Sequence, residues 1–170
     1  MSFQFRHSAQ KDALAPSWAM TAVAWRGCCL EIFSRGEASI DDCLSALEAK
    51  HLPLGSEAHH PGAISRLRTL SNFLETHKFS NHFASAVQRI ADWSDVTVCR
   101  PCLAHGVMVA NAAGVALQAS SHDGTSRTIL TVQNFTRLEM LELLVRLDST
   151  QVRLHQQLGQ IKAAARAAKI

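Results

Sequence analysis

The feature that most constrains the fold is a heptad pattern near the C-terminal end of the chain. Apolar residues recur every seven positions along two rows. The rows are Met140, Leu147, Leu154 and Ile161, and Leu144, Gln151, Leu158 and Ala165. Two such rows predict a long α-helix that packs against another helix. Gln151 is the polar member, and a buried polar residue at such a position sets the register at a cost in stability.

The start of this helix is marked by a capping box, Thr136-Arg-Leu-Glu139, which predicts a helix over 137–167. Further apolar residues widen the stripe in its first half: Leu138, Leu141, Val145 and Val152. We therefore expect the first half to pack on the segment before it and the second half to pair with another helix. We expect this pairing to join two copies of the chain. The predicted interaction seam is Leu144, Leu147, Gln151, Leu154, Leu158 and Ile161.

The segment before that helix, residues 96–134, has the two-residue period of β-strands. Val107 and Val109 alternate with smaller residues, and residues 111–114 can turn the chain. The alternation resumes over 115–119, and a second turn at 122–124 precedes a strand over 129–132. An alanine-rich helix through 102–120 is the alternative. Two interior glycines would each cost it about 1 kcal/mol, so a three-strand antiparallel meander is favoured.

The N-terminal half has the apolar period of helices. Ser17 is a suitable N-cap for a first helix that Gly36 would end, and Ser39 would open a second. Residues 51–62 hold two prolines and two glycines and are predicted to be a loop. Pro61 is suited to the first position of a third helix.

A fourth helix is predicted to start near Ser80 and to end around Trp93. The fold class that follows is α+β and predominantly helical, in a single domain over residues 1–170. It comprises an N-terminal four-helix segment (13–94), a small antiparallel β-meander (96–134) and a long C-terminal helix (137–167).

The composition is that of a globular protein, with 47% hydrophobic and 18% charged residues among 170. The net charge of +3 is too small to imply nucleic-acid binding by itself. The N-terminus lacks the apolar core of a secretion signal, and no stretch has the ~20 apolar residues of a membrane span. Five cysteines, an odd number, are then expected as reduced thiols in the cytoplasm.

The motif Cys99-Arg-Pro-Cys102 allows three interpretations. Between a strand at 96–98 and a helix it would resemble a thioredoxin-like redox site, but no proline follows for the cis position such a site needs. With His105 it could hold zinc, given a fourth ligand. The candidates for that ligand are His59, His60, Cys28, Cys29 and Cys43. The favoured interpretation is buried thiols at a tight turn.

No catalytic constellation is recognisable: the sequence has no Gly-x-Ser-x-Gly, no phosphate-binding loop and no His-Glu-x-x-His. We therefore expect no enzymatic activity. Two helices over 61–93 could form a helix-turn-helix with the basic residues Arg66, Arg68, Lys78 and Arg89. Their connection carries no glycine, so nucleic-acid binding is the less favoured hypothesis.

Two stretches resemble parts of known modules. HGVMVANAAGVALQAS resembles the hairpin that opens PAS-type sensor domains and the matching hairpin of roadblock-type dimerisation modules. ILTVQNFTRLEMLELL looks like the last PAS strand entering its signalling helix, with Asn134-Phe135-Thr136 in place of the usual Asp-Ile-Thr. The remaining PAS elements are missing between them, so the likeness is local and names no family.

These observations favour a small, bacterial-type cytoplasmic regulatory or adaptor protein that acts by protein–protein interaction. It is expected to form a homodimer through its C-terminal helix, with no cofactor and no membrane partner. The alternative is a zinc-stabilised, nucleic-acid-binding transcriptional regulator, with zinc at Cys99, Cys102 and His105.

Overall fold

The computed structural model describes residues 15–167 except 53, 55, 78–82 and 123–127. Its elements in chain order are α1 (Ala15–Glu48), a 3₁₀ turn (Ser56–His59), α2 (Ala63–Thr76), α3 (Phe83–Thr97), α4 (Arg100–His105), β1 (Val107–Asn111), β2 (Gly114–His122), β3 (Thr128–Thr136) and α5 (Arg137–Ala167). The predicted mostly helical fold, with a small antiparallel sheet and a long C-terminal helix, is confirmed.

The N-terminal region differs from the four-helix prediction, because its first two helices are one. Helix α1 begins before Ser17 and continues through Gly36 and Ser39 without a break. Gly36 is buried because the indole of Trp93 occupies the space that a Cβ atom would need. The Ser39 hydroxyl donates to the Arg35 carbonyl at 2.9 Å, as serine does inside a helix. Gly36 therefore permits close packing and does not end the helix.

The boundaries of the helices that follow α1 differ from the predicted ones. Helix α2 begins at Ala63 after the N-cap Gly62, two residues beyond Pro61. Helix α3 continues past Trp93 to Thr97, so the strand predicted at 96–98 does not form. A short helix, α4, follows with Pro101 in its first turn. The predicted start of a helix near Ser80 lies outside the described residues.

The two long helices, α1 and α5, pack side by side and run in the same direction. The indole N–H of Trp25 donates to the Met140 carbonyl at 2.8 Å, and Ser39 Oγ lies 3.0 Å from His155 Nδ1. Further along, Lys50 Nζ donates to the Arg166 carbonyl at 3.3 Å. Residue numbers rise together along both helices, which makes the pair parallel. Helix α3 packs on α5, and α2 packs on α3 and α1.

The heptad rows of α5 are buried inside the single chain, against α1 and α3. Leu147, Leu154, Leu158 and Ile161 are fully buried, Gln151 is nearly so, and Leu144 is half-buried. The helix that the seam meets is therefore α1, together with α3. The first half of α5, which was expected to pack on the meander, packs mainly on α1. Among the described elements α5 contacts the sheet at β3, to which it is joined.

The sheet has the strand order β1-β2-β3 and is antiparallel, as the meander predicts. Its inner face carries the buried Val115 and Leu117 and the Phe135 ring, which lies 5.4 Å from the Trp25 ring centroid. At the first turn Asn111 Oδ1 accepts from the backbone N–H groups of Ala113 and Gly114 at 2.9 and 3.1 Å. The predicted turn at 122–124 falls partly outside the described residues. The alternative of a helix through 102–120 is wrong beyond α4.

The junction of β3 with α5 is the predicted capping box. The Thr136 backbone N–H donates to Glu139 Oε2 at 2.7 Å. In return the Glu139 N–H donates to Thr136 Oγ1 at 3.2 Å. Because the box satisfies donors at a helix start, β3 passes into α5 with no intervening loop.

Candidate functional site

The Cys99–Cys102 motif lies where α3 passes into α4. Cys99 is the N-cap of α4, and its Sγ donates to the Val96 carbonyl at 3.3 Å. Cys102 is buried, whereas His105 is exposed at the last position of α4. Burial raises the pKa of the Cys99 thiol. A redox-active cysteine at a helix start needs the opposite shift, so this environment is that of a packed, protonated thiol.

A metal site gains no support within the described ranges. No three His, Cys, Asp or Glu side chains there are arranged to hold an ion. Two of the candidate fourth ligands bind locally instead. His59 Nε2 lies 2.9 Å from Glu48 Oε1, and His60 Nδ1 accepts from the Gly62 N–H at 2.9 Å. Zinc at Cys99, Cys102 and His105 remains a prediction from the sequence.

The basic residues of the helix-turn-helix hypothesis are partly neutralised by neighbouring carboxylates. Arg66 Nε lies 2.6 Å from Asp41 Oδ1, and Arg89 Nη1 lies 2.9 Å from Asp92 Oδ2. Arg68 is exposed, and Lys78 lies outside the described residues. Two of the four basic residues are therefore already paired with carboxylates, and nucleic-acid binding remains the less favoured hypothesis.

Helix α5 carries a second apolar stripe on the side opposite the buried rows. We call it the outer stripe, and its residues are Leu138, Leu141, Val145 and Val152. Their side chains are 64%, 58%, 60% and 41% exposed. The sequence predicted these residues as an extension of the seam. However, Leu138 and Leu147 are nine residues apart, which at about 100° per residue places them on opposite sides of the helix.

A groove between α1 and α5 adjoins the outer stripe. It has a volume of about 510 Å³, and Val145 belongs to both features. Its apolar walls are Ile32 from α1 and Leu144 from α5, with the exposed Cys28 beside them. The ion pair of Arg35 and Asp148 spans the groove at 3.3 Å, with both side chains about half exposed. The outer stripe and groove form one partly apolar surface, which we call the α5 face.

The outer face of the sheet carries four exposed apolar residues among uncharged polar ones. Val107, Val109, Leu130 and Val132 are exposed there, and the register places Gln118 between Val107 and Val132. None of the three strands contains Lys, Arg, Asp or Glu. Soluble proteins usually protect exposed sheets and edge strands with charges. An uncharged face with several exposed apolar residues is typical of an interaction surface.

Comparison of the chain with protein-family models, with curated proteins and with solved structures finds no match. Among the described helices, none combines the length and apolarity required to cross a membrane.

Proposed function

We propose that this protein is a small cytoplasmic regulatory or adaptor protein that acts by protein–protein interaction and forms a homodimer through the α5 face. The observation that carries the proposal is the outer stripe. Four large apolar side chains follow one another along a helix whose opposite side is already fully packed. Burying a leucine or valine contributes about 1.5–3 kcal/mol, so covering this stripe is favourable.

The occupant that fits the α5 face is a second copy of the same chain. The stripe residues are spaced by three, four and seven positions, which is the heptad spacing of paired helices. A two-fold axis brings identical patches together, and the stripe residues carry no charges that would then repel. The adjoining groove leaves room for the larger side chains of the other copy.

The outer face of the sheet is then free for a different partner. Its lack of charged residues indicates that the contacting surface of that partner is uncharged as well, because an unpaired charge buried there would be costly. Self-association through α5 and partner binding through the sheet give an adaptor two separate surfaces.

Sedimentation equilibrium tests the homodimer. We expect the wild-type protein to be dimeric and Leu141→Glu to be monomeric, with the same circular dichroism spectrum. Val98→Glu is the matched control, because Val98 is 73% exposed but lies in the turn between α3 and α4. It should remain dimeric. A wild-type monomer at all concentrations, or a Leu141→Glu dimer, would contradict the proposal.

The sheet face is tested by affinity capture with three baits compared side by side. A partner held by the wild type and by Val98→Glu, but lost with Val109→Glu, supports binding at the sheet. Equal capture by all three baits contradicts it. Because Val109 is already 48% exposed, the glutamate should not disturb the fold, and an unchanged thermal midpoint checks this.

A further inference from the structure

A cavity of about 190 Å³ lies between α1, α2, α3 and α4, away from the α5 face. Its floor consists of Ile40, Leu67 and Trp93, all buried. The close approach of Trp93 to Gly36 holds the indole against α1. On the opposite side, the small side chain of Ala63 at the start of α2 leaves the space open. Apolar groups therefore form most of the cavity surface, and the cavity is partly open to solvent.

One wall of the cavity is polar and consists of the Glu37–Arg100 ion pair. The two side chains meet through both carboxylate oxygens: Arg100 Nε contacts Glu37 Oε1, and Nη2 donates to Oε2 at 3.1 Å. A guanidinium has five N–H donors, and a carboxylate has about four acceptor positions. The pair is balanced in charge, yet it keeps free donors and acceptors for a further hydrogen bond.

We infer that this cavity binds a small, neutral, mainly apolar ring compound that carries one hydroxyl or carbonyl group. The size follows from the volume: an apolar cavity of about 150 Å³ accommodates benzene, so this one accommodates a single ring with a few additional atoms. The neutrality follows from the ion pair. A charged ligand would add an unbalanced charge to a site whose own two charges already cancel, and it would lose part of its hydration on entering. The hydroxyl or carbonyl would hydrogen-bond to that pair while the ring packs on Trp93.

The test uses three probes that share one ring and differ in charge: p-cresol, 4-methylbenzoate and 4-methylbenzylamine. Binding is measured by calorimetry and by quenching of Trp93 fluorescence, with Trp93→Phe identifying the signal. We expect saturable binding of p-cresol and about ten-fold or greater weakening for the two ions. No saturable binding of p-cresol, or equal binding of the three probes, would overturn the inference.

Two variants make the test specific to this cavity. Ala63→Leu fills it and should weaken p-cresol binding at least about ten-fold, while Ala91→Leu, at an exposed position on α3, should not. Glu37→Gln leaves Arg100 without its counter-charge, so the preference should change from p-cresol to 4-methylbenzoate. Unchanged p-cresol binding in Ala63→Leu, or an unchanged preference in a folded Glu37→Gln protein, would contradict the assignment.

Discussion

Trp25 and Met140 join the two long helices across 115 residues of sequence, because the Trp25 indole N–H donates to the Met140 carbonyl at 2.8 Å. The same indole packs on Phe135, at the end of β3. Trp25 thus fixes α1 against both the sheet and the first turn of α5. This contact is one of several that hold α1 and α5 parallel, together with Ser39–His155 and Lys50–Arg166.

The first prediction is that Trp25→Phe lowers the free energy of unfolding by about 1 kcal/mol beyond the packing loss, since it removes a buried hydrogen bond. Chemical denaturation measures the change. Trp18→Phe is the matched control, because Trp18 Nε1 is buried without a hydrogen-bond partner among the described residues. Trp18→Phe should lower the free energy of unfolding by less than Trp25→Phe does. It also weakens the cation–π contact of Arg137, whose Cζ atom lies 4.3 Å from the centroid of the Trp18 ring. Equal losses in both variants would show that the hydrogen bond contributes nothing.

The second prediction compares two glycines inside α1. Gly36→Ala should destabilise the protein by about 1–3 kcal/mol, because its Cβ would overlap the Trp93 indole and force it to move. Gly27→Ala should instead stabilise it by about 0.5–1 kcal/mol, since no atom beyond the local backbone of the helix lies within 4 Å of the added methyl group. Thermal and chemical denaturation of both variants measure these effects. A neutral Gly36→Ala would mean that Trp93 does not lie against α1 as described.

The third prediction concerns alkaline pH. Burial raises the pKa of the Cys43 thiol from 9.0 to about 12, and the nearby Lys162 lowers it only in part. The unfolded chain loses this proton near pH 9, whereas the folded chain retains it. The contribution of Cys43 to the free energy of unfolding is therefore fully present below pH 9. It is lost as the pH rises from about 9 towards 12.

The measurement is the free energy of unfolding as a function of pH in three proteins. We expect a decline above pH 9 in the wild type and a shallower decline in Cys43→Ala. Cys28→Ala, at an exposed cysteine, should retain the wild-type slope. The same slope in Cys43→Ala and the wild type would argue against a protonated, buried Cys43.

The fourth prediction concerns the capping box of α5. Hydrogen bonds with the Thr136 backbone and side chain lower the pKa of Glu139 below its usual value of 4.5. The ionised carboxylate therefore stabilises the fold above pH 4.5. This stabilisation is lost as the pH falls through the lowered pKa of Glu139. The free energy of unfolding, measured by chemical denaturation at several acidic pH values, should depend less on pH in Glu139→Gln than in the wild type. Glu142→Gln, on the same helix, should retain the wild-type pH dependence.

Thr136→Ala tests the other half of the box. Loss of its hydroxyl at the N-cap should cost about 1 kcal/mol of stability at neutral pH. Thermal denaturation monitored by circular dichroism provides the measurement. A negligible loss would indicate that β3 and the packing of α5 on α1 fix the junction without the cap.

The features that could be predicted from the sequence are local. The capping box, the Asn111 turn and the strand alternation each depend on residues within a few positions of one another. The heptad rows of α5 also predicted which of its residues are buried, because burial follows the helical period. The prediction that the first helix ends at Gly36 was wrong. A glycine that ends a helix and a glycine that lets an indole pack closely against the helix cannot be distinguished from the local sequence.

The candidate surfaces could be predicted only in part. The residues of the outer stripe were identified, but they were placed on the same side of α5 as the seam. The cavity beside Glu37 and Arg100 left no local signal, because those two residues are 63 positions apart. A pair so distant in sequence is brought together by the packing of α1 and α4, which no short-range pattern encodes.

The sequence by itself therefore determined that α5 is a long helix with a buried apolar side, since periodicity and capping act within a few turns. Only the tertiary structure decided which helix covers that side. The seam requires a partner helix, and the hydrophobic effect is satisfied equally by another chain or by the same one. Contacts such as Trp25 with Met140 select α1 of the same chain, which leaves Leu138, Leu141, Val145 and Val152 exposed to solvent.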